Sequence, residues 1–150
     1  MSINKDIQQD SFKSEHQKAM VNLIFTYNWT TGQIKHLFDA EGLTMQQFNI
    51  LRILRGSVKP LSTLQIRERM LDKMSDSSRI VDRLILKGLA KKVTCKTDKR
   101  LVDITITGKG LKILDKLDTR EDTMENIFKG LSTTEAATLN QLLDKIRQSI

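Results

Sequence analysis

Two groups of residues in this chain are of types that could do chemistry, and both are cationic. The first is Ser75-Asp76-Ser77-Ser78-Arg79, followed by Arg83 on the same face one helical turn later. The second is Lys96-Thr97-Asp98-Lys99-Arg100. An arginine guanidinium presents donors in a planar fork that matches the O6/N7 edge of guanine or two phosphate oxygens. Serine hydroxyls bond to base edges or phosphates, and lysines act as point charges toward phosphate. Neither group pairs a nucleophile with a base, and the chain has no Gly-rich phosphate loop, nucleophile elbow or metal-binding motif. The chemistry on offer is recognition of a polyanion. It is not catalysis.

The elements that must hold these residues can be read around them. Ser75 is expected to cap a helix in which Ile80, Val81, Leu84 and Ile85 form one apolar stripe. Asp76, Arg79, Arg83 and Lys87 fall on the opposite face, and Gly88 stops the helix as a C′ glycine does. Strands are expected over Leu89–Lys96 and Leu101–Ile106, where Val102, Ile104 and Ile106 alternate with Asp103 and Thr105. Upstream, Ser62-Thr63-Leu64-Gln65 is a capping box opening a short helix to Met70 or Leu71, and Asp72-Lys73-Met74 makes the turn. Two short helices around a tight turn form a helix-turn-helix, whose second helix enters the major groove of DNA. A cationic hairpin after it makes a wing.

Within that frame Ser75, Asp76, Ser77, Ser78, Arg79 and Arg83 are the recognition-helix candidates. For Arg83 the competing reading is an intrahelical ion pair with Asp82 or Asp76. Asp76 repels phosphate, which argues for selectivity over indiscriminate binding. In the wing, Arg100 suits a narrow minor groove, where the negative potential is strongest. Asp98 can orient that guanidinium or tie the wing to the helix, and Lys96 and Lys99 suit phosphates. The competing reading is a solvated turn carrying a surface ion pair. Lys73 and Ser62 are lesser phosphate candidates.

Residues 1–10 read as a loose start. A long helical pattern then runs from about Phe12 to Ala40 through Ala19, Leu23, Tyr27, Ile34 and Phe38, with Trp29 off the main stripe. A capping box at Thr44 and Gln47 opens the next helix, which buries Phe48, Leu51 and Leu54 and closes at Gly56. After the hairpin, Thr107 is expected to cap a long helix reaching Phe128, with its charged Asp115–Glu125 stretch facing solvent. Ser132 and Glu135 then box the last helix, which carries Leu139, Leu142, Leu143, Ile146 and Ile150. The outer helices hold more apolar stripe than a small module can cover. Their expected partner is a second copy of the chain, giving a two-fold dimer with two recognition helices for two half-sites. A monomer with folded-back terminal helices is the alternative.

Composition sets the outer bounds. The chain has 150 residues, 39% hydrophobic and 29% charged, with a formal net charge of +7. That balance favours a polyanionic partner, though its concentration on one helix and one hairpin tip says more than its sum. No apolar run approaches the roughly 20 residues that span a bilayer, and the polar start MSINKDIQQD lacks a signal peptide's apolar region. A cytoplasmic protein is expected. Its one cysteine, Cys95, excludes an internal disulfide and reads as a small packed residue or a redox-sensing thiol. His16 and His36 lack the convergent ligands a zinc site needs, so no metal or cofactor is expected. Tyr27 and Trp29 fit either plain core or the wall of an effector pocket between the terminal helices and the DNA-reading module.

In combination these segments resemble the MarR family of bacterial winged-helix regulators. Leu43-Thr44 with Gln47-Phe48 and Leu51 resembles the opening of that family's second helix, and Leu61-Ser62 through Ile66 and Arg69 the helix before the recognition helix. Ser78-Arg79-Ile80-Val81-Asp82-Arg83-Leu84 with Lys87-Gly88-Leu89 is similar to the recognition-helix signature. Asp98-x-Arg100, then Ile106-Thr107-x-x-Gly110, matches the wing and the entry to the fifth helix, and Leu131-Ser132 with Glu135 the start of the last. Leu101 departs from the Gly or Ala common after the wing arginine. The resemblance implies a mainly α fold with a small β-wing over one domain, 1–150. Residues 11–41 and 108–150 would form the dimerisation helices and 44–107 the winged helix-turn-helix. It further implies a homodimeric repressor on a pseudo-palindromic double-stranded operator, often released by a small aromatic effector. An architectural DNA binder and a protein-contact winged helix are the alternatives.

Overall fold

The computed structural model describes residues 2–94, 102–120 and 125–148. The chain forms two compact units, residues 1–36 and 37–150.

In the first unit, a short helix α1 (Ile3–Asp6) precedes α2 (Glu15–Asp39), whose last turn belongs to the second unit. The loose start expected for residues 1–10 is therefore corrected: α1 forms, and Ile3 is buried. Helix α2 starts later than the apolar pattern suggested. Ser14 Oγ accepts the Gln17 N–H at 3.1 Å, and Gln17 Oε1 accepts the Lys13 N–H at 2.7 Å, a local cap that sets the start. Along α2, Met20, Leu23, Ile24, Tyr27 and Trp29 are exposed.

In the second unit, α2 ends in a Schellman turn. Gly42 has φ +65°, its N–H donates to the Asp39 carbonyl at 2.9 Å, and the Leu43 N–H reaches the Phe38 carbonyl at 3.0 Å. Helix α3 (Met45–Arg55) follows, with the capping box at Thr44 and Gln47 formed as expected. It is the hub of the unit, touching α4 (Thr63–Arg69), α5 (Ser77–Leu86), α6 (Gly108–Asp118) and strand β2 (Val102–Ile106). Ile50 and Leu51 are fully buried along it, and the Phe38 and Phe48 rings pack with centroids 4.6 Å apart. Removing a buried leucine from such a hub costs about 2–5 kcal/mol.

Strand β1 (Ala90–Thr94) pairs antiparallel with β2, Ala90 opposite Ile106 and Thr94 opposite Val102. The linker residue Leu61 joins this sheet through two bonds with Ile104, at 3.0 and 2.7 Å. Such a non-local bridge leaves no pattern in a local window. Thr107 caps α6, its Oγ1 accepting the Gly110 N–H at 3.1 Å and donating to the Gly88 carbonyl at 2.7 Å. The continuous helix expected to reach Phe128 is corrected. Helix α6 ends at Asp118, where the Thr119 hydroxyl donates to the Lys116 carbonyl at 2.7 Å and closes the turn. A separate 3₁₀ turn covers Asn126–Phe128. Helix α7 (Thr133–Arg147) opens with the expected box at Ser132 and Glu135 and leaves Leu139, Leu142 and Ile146 exposed. Glu135 titrates below its ordinary value because the Ser132 backbone N–H and hydroxyl both donate to its carboxylate.

Candidate nucleic-acid interface

The turn between α4 and α5 is built from side-chain acceptors. Asn49 Oδ1, on α3, accepts the Leu71 N–H at 3.0 Å. Asp72 accepts the Ser75 hydroxyl at 2.5 Å and the Met74 N–H at 3.0 Å. These bonds, the Ser75 hydroxyl first, hold the Asp72 carboxyl below its ordinary value. The consequence for Ser75 is a correction. Its hydroxyl is committed to Asp72, and Asp76 caps α5 instead, accepting the Arg79 N–H at 3.2 Å. Both residue types cap well; the nearby Asp72 decides between them. Asp76 thus has a structural reason to be there, and the selectivity argument drawn from its charge falls away.

Helix α5 buries Val81 and Leu84, as the apolar stripe requires, and ends in a second Schellman turn at Gly88 (φ +71°). Its outer face carries Ser78, Arg79 and Arg83, all exposed. Ser77 is different. It is only 5% exposed and turned inward, which corrects its placement among the readers. The competing ion pairs for Arg83 are taken up elsewhere: Asp76 sits 3.9 Å from Arg79, and Asp82 lies 3.3 Å from Lys92 on β1.

A cleft of about 350 Å³ lies at the start of α5, where Arg67 and Lys73 stand beside Ser75, Asp76 and Ser78. Arg67 was not anticipated, because its proximity to α5 arises only from the packing of α4. Lys91 and Lys92 on β1 add exposed positive charge at the base of the hairpin. Cys95, Lys96, Asp98, Lys99 and Arg100, the wing candidates, lie outside the described residues, as does Leu101.

The aromatic residues expected at an effector pocket separate. Trp29 lines a cleft of about 380 Å³ with Ser2, Ile3, Asp6 and Phe25, all within the first unit, and Tyr27 is not part of its wall. Among the described residues no three of His, Cys, Asp and Glu converge as metal ligands, and His16 and His36 are exposed. No helix among them is long and apolar enough to cross a membrane.

No protein-family model matches the chain. The multiple antibiotic resistance protein MarR of Salmonella typhimurium is 30% identical to it over 108 residues, covering 69% of this chain and 73% of that protein. The chain belongs to the MarR family. Solved MarR-family structures share its fold at lower identity. A cysteine variant of Escherichia coli MarR, in complex with operator DNA, superposes with TM-score 0.79 at 21% identity, over 91% of this chain and 99% of that one. BpsR of Bordetella bronchiseptica, whose DNA binding is regulated by 6-hydroxynicotinic acid, superposes with TM-score 0.80 at 20% identity, over 94% and 100%. The MarR assignment matches the mainly helical fold with its two-stranded wing, and it identifies a transcription regulator and not an enzyme.

Proposed function

We propose that this MarR-family chain is a cytoplasmic homodimer that binds a pseudo-palindromic operator in double-stranded DNA and represses transcription by covering it. The observation that carries this reading is the outer face of α5: Ser78, Arg79 and Arg83 project away from the module while Val81 and Leu84 anchor the helix to α3 and its neighbours. In the reading, α5 lies in the major groove, with Arg79 bidentate to a guanine and Arg83 beside it. Arg67 and Lys73 hold phosphates at the start of α5, Lys96 and Lys99 hold phosphates at the wing, and Arg100, with Asp98 to orient it, enters the minor groove.

Residues 44–107 form the DNA-binding part, and 11–41 with 108–150 the dimerisation part. The exposed Leu23, Ile24 and Tyr27 on α2 and Leu142 and Ile146 on α7 support a second copy, since a lone chain leaves them in water. Two recognition helices would then meet half-sites about 34–36 Å apart. The ligand-regulated relative BpsR and the aromatic cleft at Trp29 support release by a small aromatic compound, which would act through its differential affinity for two dimer geometries.

The test is a mobility shift with the duplex upstream of the protein's own gene, against excess random duplex, with Arg100→Ala beside the wild type. Selective binding that the variant loses is the expected result. Equal competition by random duplex would assign the chain to architectural DNA binding. No binding at low salt would assign the winged helix to contact with another protein.

A further inference from the structure

One residue outside the DNA-facing set gathers more tertiary hydrogen bonds than its place in the sequence suggests. Lys87 is the C-cap of α5. The backbone alone already ends that helix: the Lys87 N–H donates to the Arg83 carbonyl, and the Gly88 and Leu89 N–H groups complete the Schellman turn. Its side chain is free for other partners. Nζ donates to the carbonyl oxygen of Gly42 and, at 3.1 Å, to Oε1 of Gln47. Gln47 is 4% exposed, and the same Oε1 accepts the Thr44 N–H at 3.2 Å. On the other side, Lys109 Nζ donates to the Lys87 carbonyl at 2.9 Å.

A single residue at the end of α5 therefore joins the turn that closes α2, the first turn of α3 and the first turn of α6. The end of α2 is fastened to α6 by a further contact, in which Glu41 lies 2.8 Å from Lys116 and 3.6 Å from Arg120.

We infer that Lys87 is a positioning residue that sets the angle of α5 by tethering its C-terminus to the ends of the long helices α2 and α6. The inference rests on the DNA-binding reading above. Burial of Val81 and Leu84 holds α5 to the core, but apolar packing is non-directional and tolerates small tilts. Hydrogen bonds to fixed carbonyls do not. Over the roughly 15 Å length of a 10-residue helix, a tilt of about 5° at one end moves the other by about 1.3 Å. The far end carries Ser78 and Arg79, and a displacement of that size exceeds the tolerance of a bidentate hydrogen bond. Lys87 thus acts on sequence discrimination through α5 and without touching DNA. The tether also gives any shift at the ends of α2 or α6 a direct route to the recognition helix.

The experiment uses the full chain. A duplex enriched by the wild type from a random-sequence library is compared with random duplex, for wild type, Lys87→Met and Lys87→Arg, across a salt series. Lys87→Met keeps the stem and removes the donors. It is expected to lower the specificity ratio about tenfold, the scale of one charge-assisted hydrogen bond, and to leave random-duplex affinity within about twofold. The slope of log affinity against log salt is expected to stay at its wild-type value, and Lys87→Arg to recover most of the ratio.

An unchanged ratio overturns the inference. So does a uniform loss on both duplexes with a slope shallower by about 0.9, which is the signature of a phosphate contact. If Lys87→Met lacks native circular dichroism, Lys109→Met cuts the α6 tether alone; a fall of about threefold in the ratio supports the inference and no change overturns it. A wild type that enriches no duplex refutes the DNA-binding reading itself, and is seen before any variant is compared.

Discussion

Replacing Gly110 with alanine probes the junction where the base of the wing meets α6. A Cβ at this position would stand 2.4 Å from the Leu89 carbonyl oxygen and 2.8 Å from Cγ1 of Ile106. Comfortable contacts between heavy atoms lie near 3.5–4.0 Å, so the methyl group lacks about 1 Å of room on each side. The Leu89 carbonyl has little freedom to retreat, because it accepts the Thr107 N–H at 3.0 Å. Overpacking of this kind costs about 1–3 kcal/mol, and stretching the Thr107 bond adds about 0.5–1.5. The stiffer unfolded chain returns about 0.4–1 kcal/mol. The expected net destabilisation is therefore about 2 kcal/mol. Gly108, two residues earlier on the same helix, is the control, since a Cβ there meets nothing within 4 Å; Gly108→Ala should be neutral or stabilising by up to about 1 kcal/mol. Urea unfolding at one fixed protein concentration reads both variants. Equal stability of Gly110→Ala and wild type would refute the close-approach reasoning, and so would an equal loss in Gly108→Ala.

Two further outcomes follow from the caps and ion pairs. Asp76→Ala is expected to cost about 0.5–2 kcal/mol of stability, with Asp76→Ser recovering most of it; thermal unfolding checks this, and a neutral Asp76→Ala would return the cap to Ser75. Asp118 is bonded by both terminal nitrogens of Arg55, at 2.5 and 3.2 Å, and this hydrogen bonding first, then the charge, holds its carboxyl below the ordinary 3.8. A carboxyl depressed by folding adds stability above its unfolded value, and that stability is lost as the pH falls through the folded value. Asp118→Asn should therefore be less stable than wild type at pH 7, by no more than about 1 kcal/mol for so exposed a pair, and the gap should close below about pH 4. A gap that persists at low pH in urea midpoints would locate the effect in packing and not in charge.

Much of this architecture is local and was legible from the residues alone. The boxes at Thr44, Ser62 and Ser132 and the Thr107 cap each span four residues, and the glycine at position 88 needs only its own left-handed backbone. The stripe through Val81 and Leu84 marks the buried side of α5 because a helix repeats every 3.6 residues. Family membership was legible too, from several such motifs in one order.

Tertiary structure decided what depends on elements far apart in the chain. Whether Ser75 or Asp76 caps α5 turns on how the Asp72 turn is held, itself anchored through Asn49 on another helix. Ser77 falls inward because of the roll of α5 against α3, which its position beside Ser78 does not reveal. Leu61 joins the sheet through Ile104, Gly110 is small because the Leu89 carbonyl passes over it, and Lys87 finds Gly42 and Gln47 across the core. Caps and periodicity are written in neighbouring residues, since their hydrogen bonds close within one turn. Close approaches and tethers form only after non-local chain closure, and no short window of sequence contains both partners.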